Sequence, residues 1–298
     1  MRSMRIAFLI AAHHLPEQLA RLARRLANGR NALLIHVDRR TPERVYREMV
    51  ALCAPLPNVS FLTPRRSVHW ADFSQVEVQL AGMRTARQRF PDAQYVAIIS
   101  GQCYPLLANE EIERRLRDLD GASWIESHPM PVREWSNGME FLQDWHFRIG
   151  RRWIVSQTGS RRLHHKIMQL VLPRRPVPQG LTAYKGSAYF VLERRACDHV
   201  LAFAERRRDV ARYFRFSFAS DEMFVQSILG TSTLPLLCER THYIRFSGGR
   251  LNPDTLTLAD IGVMRESGKL FARKFDTRAD DAILGALDHD AGTKATRL

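Results

Sequence analysis

An acidic pair is the first candidate for chemistry in this sequence. Asp221-Glu222 follows an aromatic run at 213–216 and stands at the predicted start of a helix. One of these carboxylates, placed in a cleft, could take a proton from a substrate hydroxyl as a general base. The same residues would also make a favourable helix N-cap and first turn, so capping is the alternative interpretation.

A basic pair is the second candidate. Arg273-Lys274 lies between Phe271 and Phe275. Two cations held between aromatic side chains can point into a site and neutralise a phosphate. The alternative is that both are surface cations whose stems cover apolar area while their charges stay in water.

Two polar segments follow apolar runs that we predict to be strands. Asp38 ends the second run, where a carboxylate could bind a nucleoside hydroxyl, although a turn or cap residue is the alternative. The segment 100–105 follows another run and is rich in small and polar residues. It would lie at the sheet edge where sites form, and a tight turn is the alternative.

Sequence motifs for phosphate loops and metal clamps are missing or badly placed. Neither GxGxxG nor GxxxxGK[ST] occurs in the sequence. Asp118-Leu119-Asp120 ends a predicted helix, and Asp288-His289-Asp290 lies near the end of the chain. Neither position suits a divalent ion at a diphosphate, so we predict surface roles for both and no metal.

The elements that would position these residues alternate in the first half of the chain. Apolar runs predict strands at 5–12, 32–37, 59–62, 95–99 and 123–125, and amphipathic segments predict helices at 16–27, 42–53, 73–89 and 110–119. This order predicts an α/β fold whose mostly parallel, Rossmann-like sheet is flanked by helices and binds ligands beyond the carboxyl ends of its strands.

The second half is less regular. We predict a strand at 188–192 and helices at 161–172, 193–207 and 220–229. The helix at 161–172 carries apolar residues opposite arginine and histidine; we expect a structural face, with a membrane-surface contact as the alternative. The last ~20 residues are polar and weakly periodic, which favours a loosely held tail.

Composition limits the partners and the compartment. The 298 residues carry 45 Lys and Arg against 31 Asp and Glu, a net charge of +14. The arginines are spread along the chain without a nucleic-acid-binding motif, so we expect no nucleic-acid partner and at most a weak attraction to an anionic membrane surface. The apolar run 4–12 is too short to span a membrane. Four widely spaced cysteines favour free buried thiols and a cytoplasmic location.

Taken together, ordered sequence blocks resemble one known family. The blocks are AAHHLPEQLARL (11–22), IHVDRRT (35–41), SVHWADFSQVEVQL (67–80), YVAIISGQCYPL (95–106), WIE (124–126), KGSAYFVLER (185–194), SDEMFVQSIL (220–229) and LFARKFD (270–276). This order resembles the core-2/I-branching β-1,6-N-acetylglucosaminyltransferases, which are related to the peptide O-xylosyltransferases. We expect a bacterial-type member, because the membrane anchor and many cysteines of animal relatives are missing.

The resemblance implies a GT-A-like glycosyltransferase fold and a role for each of several residues. Glu222 matches the catalytic base. The residues placed at the donor are Ala11, Asp38 and Trp70 around the uridine and Arg250, Arg273 and Lys274 at the diphosphate. Those placed at the acceptor are Glu126, Tyr243 and Asp221.

The expected function is a metal-independent, inverting transfer of a sugar from a UDP-sugar to a hydroxyl of a glycan, in polysaccharide biosynthesis. N-acetylglucosamine is the expected sugar; the alternatives are xylose from UDP-xylose and a non-catalytic UDP- or carbohydrate-binding protein. We expect one catalytic domain over 1–276, a tail over 277–298, and a cytoplasmic protein that could associate peripherally with the inner face of a membrane.

Overall fold

Seven strands form one central sheet in the computed structural model, which describes residues 4–131, 138–150, 152–156, 163–248 and 252–295. The other described strands form smaller sheets. In chain order, all the described strands are β1 (Ile6–Ala12), β2 (Ala32–Val37), β3 (Val59–Phe61), β4 (Tyr95–Ser100), β5 (Cys103–Pro105), β6 (Ser123–Trp124), β7 (His128–Pro129), β8 (His146–Ile149), β9 (Arg152–Val155), β10 (Tyr184–Lys185), β11 (Val191–Glu193), β12 (Leu236–Leu237), β13 (His242–Ile244) and β14 (Phe271–Arg273).

Helices connect and cover these strands. They are α1 (Pro16–Leu26), α2 (Glu43–Cys53), α3 (Phe73–Arg89), α4 (Asn109–Asp118), α5 (Glu140–Gln143), α6 (Leu163–Val171), α7 (Arg194–Arg206), α8 (Arg208–Phe214), α9 (Phe224–Gly230), α10 (Ile261–Glu266) and α11 (Ala282–Ala295). Short 3-10 helices lie at Ser220–Glu222 and Leu258–Asp260. In the ranges that the structure describes, no helix combines the length and the apolar character that crossing a membrane requires.

The central sheet has the order β12-β6-β11-β4-β1-β2-β3. The pairs β4-β1, β1-β2 and β2-β3 are parallel, as the alternating pattern predicted, whereas β11 runs antiparallel to both β4 and β6. Because β11 is reversed, the chain entering it lies at the same edge as the chain leaving β4. The predicted α/β class with a mostly parallel sheet is confirmed, and the reversed strand brings the segment before residue 191 to the candidate site.

Both faces of the sheet are buried, which explains the uninterrupted apolar sequence of β1. Alternate side chains of a strand point to opposite faces. Ile6, Phe8 and Ile10 join the core cluster that includes α1 and α11, whereas Ala7 and Leu9 join the cluster that includes α3 and α7. The two clusters sandwich one sheet, so the described chain is a single layered domain.

The C-terminal segment is not a loosely held tail. Ile283, Leu284 and Leu287 of α11 are at most 2% exposed and belong to the core cluster that also contains α1. Tyr104 donates a hydrogen bond of 2.6 Å to Asp288 of the same helix. The prediction was wrong because these three apolar residues form a narrow stripe, and their burial depends on tertiary packing, including packing on α1, that the local sequence does not show.

The packing of α11 gives a measurable expectation. Leu284→Ala is expected to lower the free energy of unfolding by about 2–5 kcal/mol, because it removes a fully buried side chain and leaves a cavity. Leu170→Ala is the matched control, since that leucine is 86% exposed and its loss is expected to change stability by no more than about 0.5 kcal/mol. Urea unfolding followed by circular dichroism measures both. Equal stability of the two variants would show that α11 does not pack on the domain.

The cysteines are unpaired. Cys53, Cys103 and Cys197 are buried, as predicted, but Cys238 is exposed. The apolar surroundings of Cys53 raise its pKa to about 11, so this thiol is protonated near neutral pH.

Candidate active site

The carboxyl ends of β1, β2 and β4 meet at one edge of the sheet, where parallel strands commonly form sites. Buried Gln18 of α1 ties a distant segment to this edge. Its Nε2 donates to the carbonyl oxygens of Gly101 at 2.9 Å and Phe275 at 3.2 Å, and its Oε1 accepts from the amide of Thr277 at 2.9 Å. These bonds place Lys274 beside the ends of the central strands.

Asp38 lies at the end of β2, as predicted. Its carboxylate accepts hydrogen bonds from the Arg40 guanidinium, with Nη2 to Oδ2 at 2.7 Å, and from the amide of Val68 at 3.3 Å. Burial alone would raise the pKa of Asp38, but the bonds from Arg40 and Val68 outweigh it and lower the pKa, so the group is ionised at neutral pH. Asp38 therefore holds the 66–70 segment against the sheet edge.

Trp70 lies two residues after Val68 and presents its ring to solvent. Its side chain is 54% exposed and meets Phe218 edge-on, with centroids 5.4 Å apart. Ala11 is the least buried residue of β1 and lies one position before the end of that strand. The structure thus leaves the Trp70 ring open to solvent and Ala11 partly accessible, and their assignment to the uridine stays a prediction.

A cationic corner lies at the end of β1. His13 and His14 stack at 4.1 Å, with their planes 15° apart. Burial and the charges of His13, Arg278 and Lys274 lower the pKa of His14 to about 4. His14 is therefore neutral near pH 7, and the positive charges that act on it are those of Lys274 and of Arg278, which pairs with Asp276 at 2.6 Å. Arg250, the second predicted diphosphate cation, lies outside the described residues.

Arg273 does not point the same way as Lys274. Its guanidinium stacks over the Tyr189 ring at 4.4 Å, and its charge lowers the pKa of Asp221 against larger opposing effects. The structure thus brings Arg273 to the buried carboxylate and Lys274 to the cationic corner. Tyr243, the predicted acceptor aromatic, is half-buried in β13 and pairs in register with Ala272 of β14.

Asp221 and Glu222 do not cap a helix, so the capping interpretation is wrong. The predicted helix at 220–229 is instead a 3-10 turn at Ser220–Glu222 that is separated from α9 by Met223, whose φ is −132°. The residue before the turn, Ala219, has a left-handed φ of 52° and makes no side-chain cap. Oδ1 of Asp221 is buried without a hydrogen-bond partner in the described structure. The acidic pair is therefore available for another role.

Three chain segments converge around Glu222. Its backbone carbonyl accepts a 2.9 Å hydrogen bond from Gly186, and its Oε2 lies 3.6 Å from Nζ of Lys185. A Cβ on Gly186 would be only 1.7 Å from the carbonyl oxygen of Glu126. Only glycine lets the backbones of 126 and 186 approach so closely, and that approach brings Glu126 towards Glu222.

Glu126 is held in place by a basic partner. Nε of Arg240 lies 2.9 Å from Oε1 and 2.8 Å from Oε2, and Nε2 of His128 lies 3.6 Å from Oε1. The Glu126 side chain is buried, so its orientation is fixed by these contacts. A fixed carboxylate close to Glu222 is suited to binding substrate hydroxyls.

The surroundings of the acidic pair raise the pKa values of both carboxyl groups. Burial raises the pKa of Glu222; Lys185 opposes this shift, and the charge of Glu126 adds to it. Burial and the neighbouring Glu222 raise the pKa of Asp221 to about 8. A carboxylate with a raised pKa is a stronger base than an ordinary one, and such shifts are typical of catalytic sites.

Sequence reasoning missed several residues of this cluster. Lys185 begins the segment KGSAYFVLER (185–194), and its charge next to Gly186 could have indicated a site residue. No local pattern indicated Arg240, which reaches Glu126 from 114 residues away. Phe141 supports Lys185, whose Nζ lies 4.4 Å from the ring centroid.

Two of the aspartates that we predicted not to bind a metal form hydrogen bonds with arginine side chains. Asp118 accepts from Arg114 at 2.8 Å, and Asp290 accepts from Arg265 at 2.7 Å. Within the described ranges, no three His, Cys, Asp or Glu side chains converge in a way that could hold a metal ion.

A helix-flanked, mostly parallel sheet with a cationic corner and a carboxylate cluster at one edge is consistent with a GT-A-like glycosyltransferase fold. Comparison with known families is specific: the model of the Core-2/I-Branching enzyme family matches residues 6–265. The chain belongs to this family.

Curated relatives carry related names at low identity. Rat β-1,3-galactosyl-O-glycosyl-glycoprotein β-1,6-N-acetylglucosaminyltransferase 3 is 25% identical over 230 residues, which are 77% of this chain and 48% of the relative. The zebrafish enzyme of the same description, numbered 4, is 24% identical over 307 residues, which are 95% of this chain and 68% of the relative. Mouse N-acetyllactosaminide β-1,6-N-acetylglucosaminyl-transferase is 26% identical over 220 residues, which are 74% of this chain and 51% of the relative. The chain therefore spans about half to two thirds of the length of these relatives.

Proposed function

We propose that the protein transfers N-acetylglucosamine from its UDP-sugar to a hydroxyl of a glycan acceptor, with inversion at the anomeric carbon and without a metal ion. The observation that carries the proposal is the position of Glu222, which caps no helix and lies 3.6 Å from Lys185 near the fixed Glu126. Its raised pKa supports the role of a base. The names of the relatives support the choice of sugar.

In the proposed reaction, Glu222 accepts the proton of the acceptor hydroxyl as its oxygen bonds to the anomeric carbon. The bond between that carbon and the diphosphate oxygen breaks on the opposite face, and UDP leaves with the electron pair. Lys274, in the cationic corner, and Arg250 stabilise the negative charge that develops on the diphosphate. Asp38 and the exposed Trp70 hold the uridine, and Glu126 and Tyr243 hold the acceptor.

A donor screen tests this proposal and its metal-free step. We expect UDP release from UDP-N-acetylglucosamine with EDTA present, and a mass increase of one N-acetylhexosamine in a galactose-containing acceptor. The matched reaction with added Mn²⁺ is expected to proceed at a similar rate. Activity that requires Mn²⁺ would contradict the metal-free step, and turnover of UDP-xylose alone would contradict the sugar. UDP binding without turnover of any donor across an acceptor panel would indicate a non-catalytic binding protein.

A further inference from the structure

The positive charge of this chain is concentrated in one segment. Residues 145–192 contain no Asp or Glu, although the whole chain has 31. The same segment carries nine cationic residues, which are Arg148, Arg151, Arg152, Arg161, Arg162, Lys166, Arg174, Arg175 and Lys185. Although arginines occur along the whole chain, acidic residues are missing from 145–192. This segment therefore contributes +9 to the net charge of +14.

Helix α6, within this segment, presents an apolar face to solvent. Leu163, Ile167, Leu170 and Val171 are between 56% and 86% exposed, and their spacing places them on one side of the helix. The opposite side faces the protein, where His165 is buried and Gln169 donates to the carbonyl of Ser156 at 3.0 Å. The helix is therefore amphipathic with its apolar side outward.

The neighbouring β8-β9 hairpin adds to this surface. Ile149 is 66% exposed at the end of β8, and Ile154 of β9 is also exposed. Six of the ten large apolar side chains that are exposed in the described ranges lie between 149 and 171. Lys166 is exposed on the outward part of α6, and Arg174, exposed just after the helix, pairs with buried Asp144 at 3.5 Å.

We propose that α6 and the β8-β9 hairpin bind the surface of a membrane containing anionic phospholipids. Exposed leucine and isoleucine side chains can enter the boundary between headgroups and acyl chains, while neighbouring cations contact lipid phosphates. Neither α6 nor the β8-β9 hairpin carries an acidic residue that would repel anionic lipids. Arg148 of β8 is partly neutralised, because it pairs with Asp72 at 3.2 Å. A nucleic acid would use the cations but gain nothing from four exposed aliphatic residues on one helix face, so the lipid surface is favoured.

The Phe218 ring contacts both this surface and the candidate donor site. Trp153 of β9 meets Phe218 with centroids 5.6 Å apart, and Phe218 meets Trp70 at 5.4 Å. A membrane-bound molecule would therefore hold its proposed uridine site close to the lipid surface.

Sedimentation of the full chain with vesicles tests the proposal. We expect binding to phosphatidylcholine vesicles that contain phosphatidylglycerol, weaker binding to phosphatidylcholine alone, and weaker binding as the salt concentration rises. Leu170→Glu is expected to reduce the vesicle partition coefficient about tenfold or more, because it removes an inserted aliphatic group and adds a repelled charge. Lys166→Glu is expected to reduce it several-fold.

Matched variants separate this surface from general effects. Val263→Glu places the same new charge at an exposed valine of α10, and Arg44→Glu reverses an exposed cation of α2. Both are expected to bind vesicles nearly as well as the unmodified chain, and all four variants should keep the same melting temperature and the same hydrolysis of a soluble donor. Absence of binding to the anionic vesicles, or equal losses in Leu170→Glu and Val263→Glu, would overturn the proposal. Tight binding to DNA with no vesicle binding would assign the surface to nucleic acid instead.

Discussion

Glu222→Gln is expected to lower the rate of sugar transfer by about 10²–10⁴-fold, the usual contribution of a general base, while UDP affinity stays within a few-fold. Glutamine has nearly the same shape but cannot accept the proton of the acceptor hydroxyl. UDP affinity is expected to survive because the residues proposed to bind UDP lie at the ends of β1 and β2 and after β14, not at Glu222. Transfer is measured by product mass, and UDP binding by calorimetry.

The pH dependence gives an independent readout. Glu222 must be ionised to act as a base, and its pKa is raised by burial and by Glu126. The transfer rate should therefore fall as the pH is lowered through this raised pKa, which is above the range of an ordinary glutamate. In Glu222→Gln the residual rate should lose this acidic limb, a change that damage to the fold alone would not produce.

Glu239→Gln is the matched control. Glu239 is exposed and pairs with Lys269 at 3.3 Å, so the same substitution there is expected to leave transfer and its pH profile unchanged. Full transfer activity in Glu222→Gln would refute the assignment of the base. A loss of UDP binding equal to the loss of transfer would show that the residue acts in donor binding instead.

Gly186→Ala is expected to lower the free energy of unfolding by about 1–3 kcal/mol or more and to abolish most of the transfer activity. The new methyl group would overlap the carbonyl oxygen of Glu126, 1.7 Å away. Because the obstacle is backbone, a side-chain rotation cannot relieve it, and the two segments must separate. That separation would also break the hydrogen bond from Gly186 to the Glu222 carbonyl and shift both carboxylates.

Gly262→Ala provides the comparison for this substitution. A Cβ at Gly262, in α10, meets no heavy atom within 4 Å, and alanine favours helix formation, so this variant should be as stable as the unmodified protein or up to about 1 kcal/mol more stable. Urea unfolding measures both variants, and UDP release measures their activity. A Gly186→Ala protein with unchanged stability and activity would contradict the close approach of residues 126 and 186.

The parts of the fold that depend on local periodicity were predictable. The limits of β2 and α3 were correct to the residue, because a continuous apolar run and helically spaced apolar residues can both be read from contiguous sequence. The reversed β11 was not predictable, because strand direction depends on the connection around it. The break at Met223 was also missed, since the apolar pattern of 220–229 is that of a continuous helix and nothing in it indicates the non-helical φ of −132° at Met223.

Some residues of the candidate site could likewise be predicted from local sequence, and others could not. Asp38 could be proposed from its position at the end of a strand and Glu222 from the start of a predicted helix, and the family resemblance gave them roles. Arg240 could not, because its contact with Glu126 joins segments 114 residues apart that have no shared pattern. The different neighbours of Arg273 and Lys274 could be seen only in the structure, where Arg273 meets Tyr189 and the charge of Lys274 acts on His14.

The buried Gln18 links the order of synthesis to the completion of the site. Two of its three hydrogen-bond partners belong to Phe275 and Thr277, which are 257 and 259 residues further along the chain. A nascent chain that has emerged only as far as β4 can pair its first strands but leaves this amide partly unsatisfied, which is costly in a buried position. The first helix to be synthesised therefore reaches its final packing only when the C-terminal segment arrives, and that segment brings Lys274 with it.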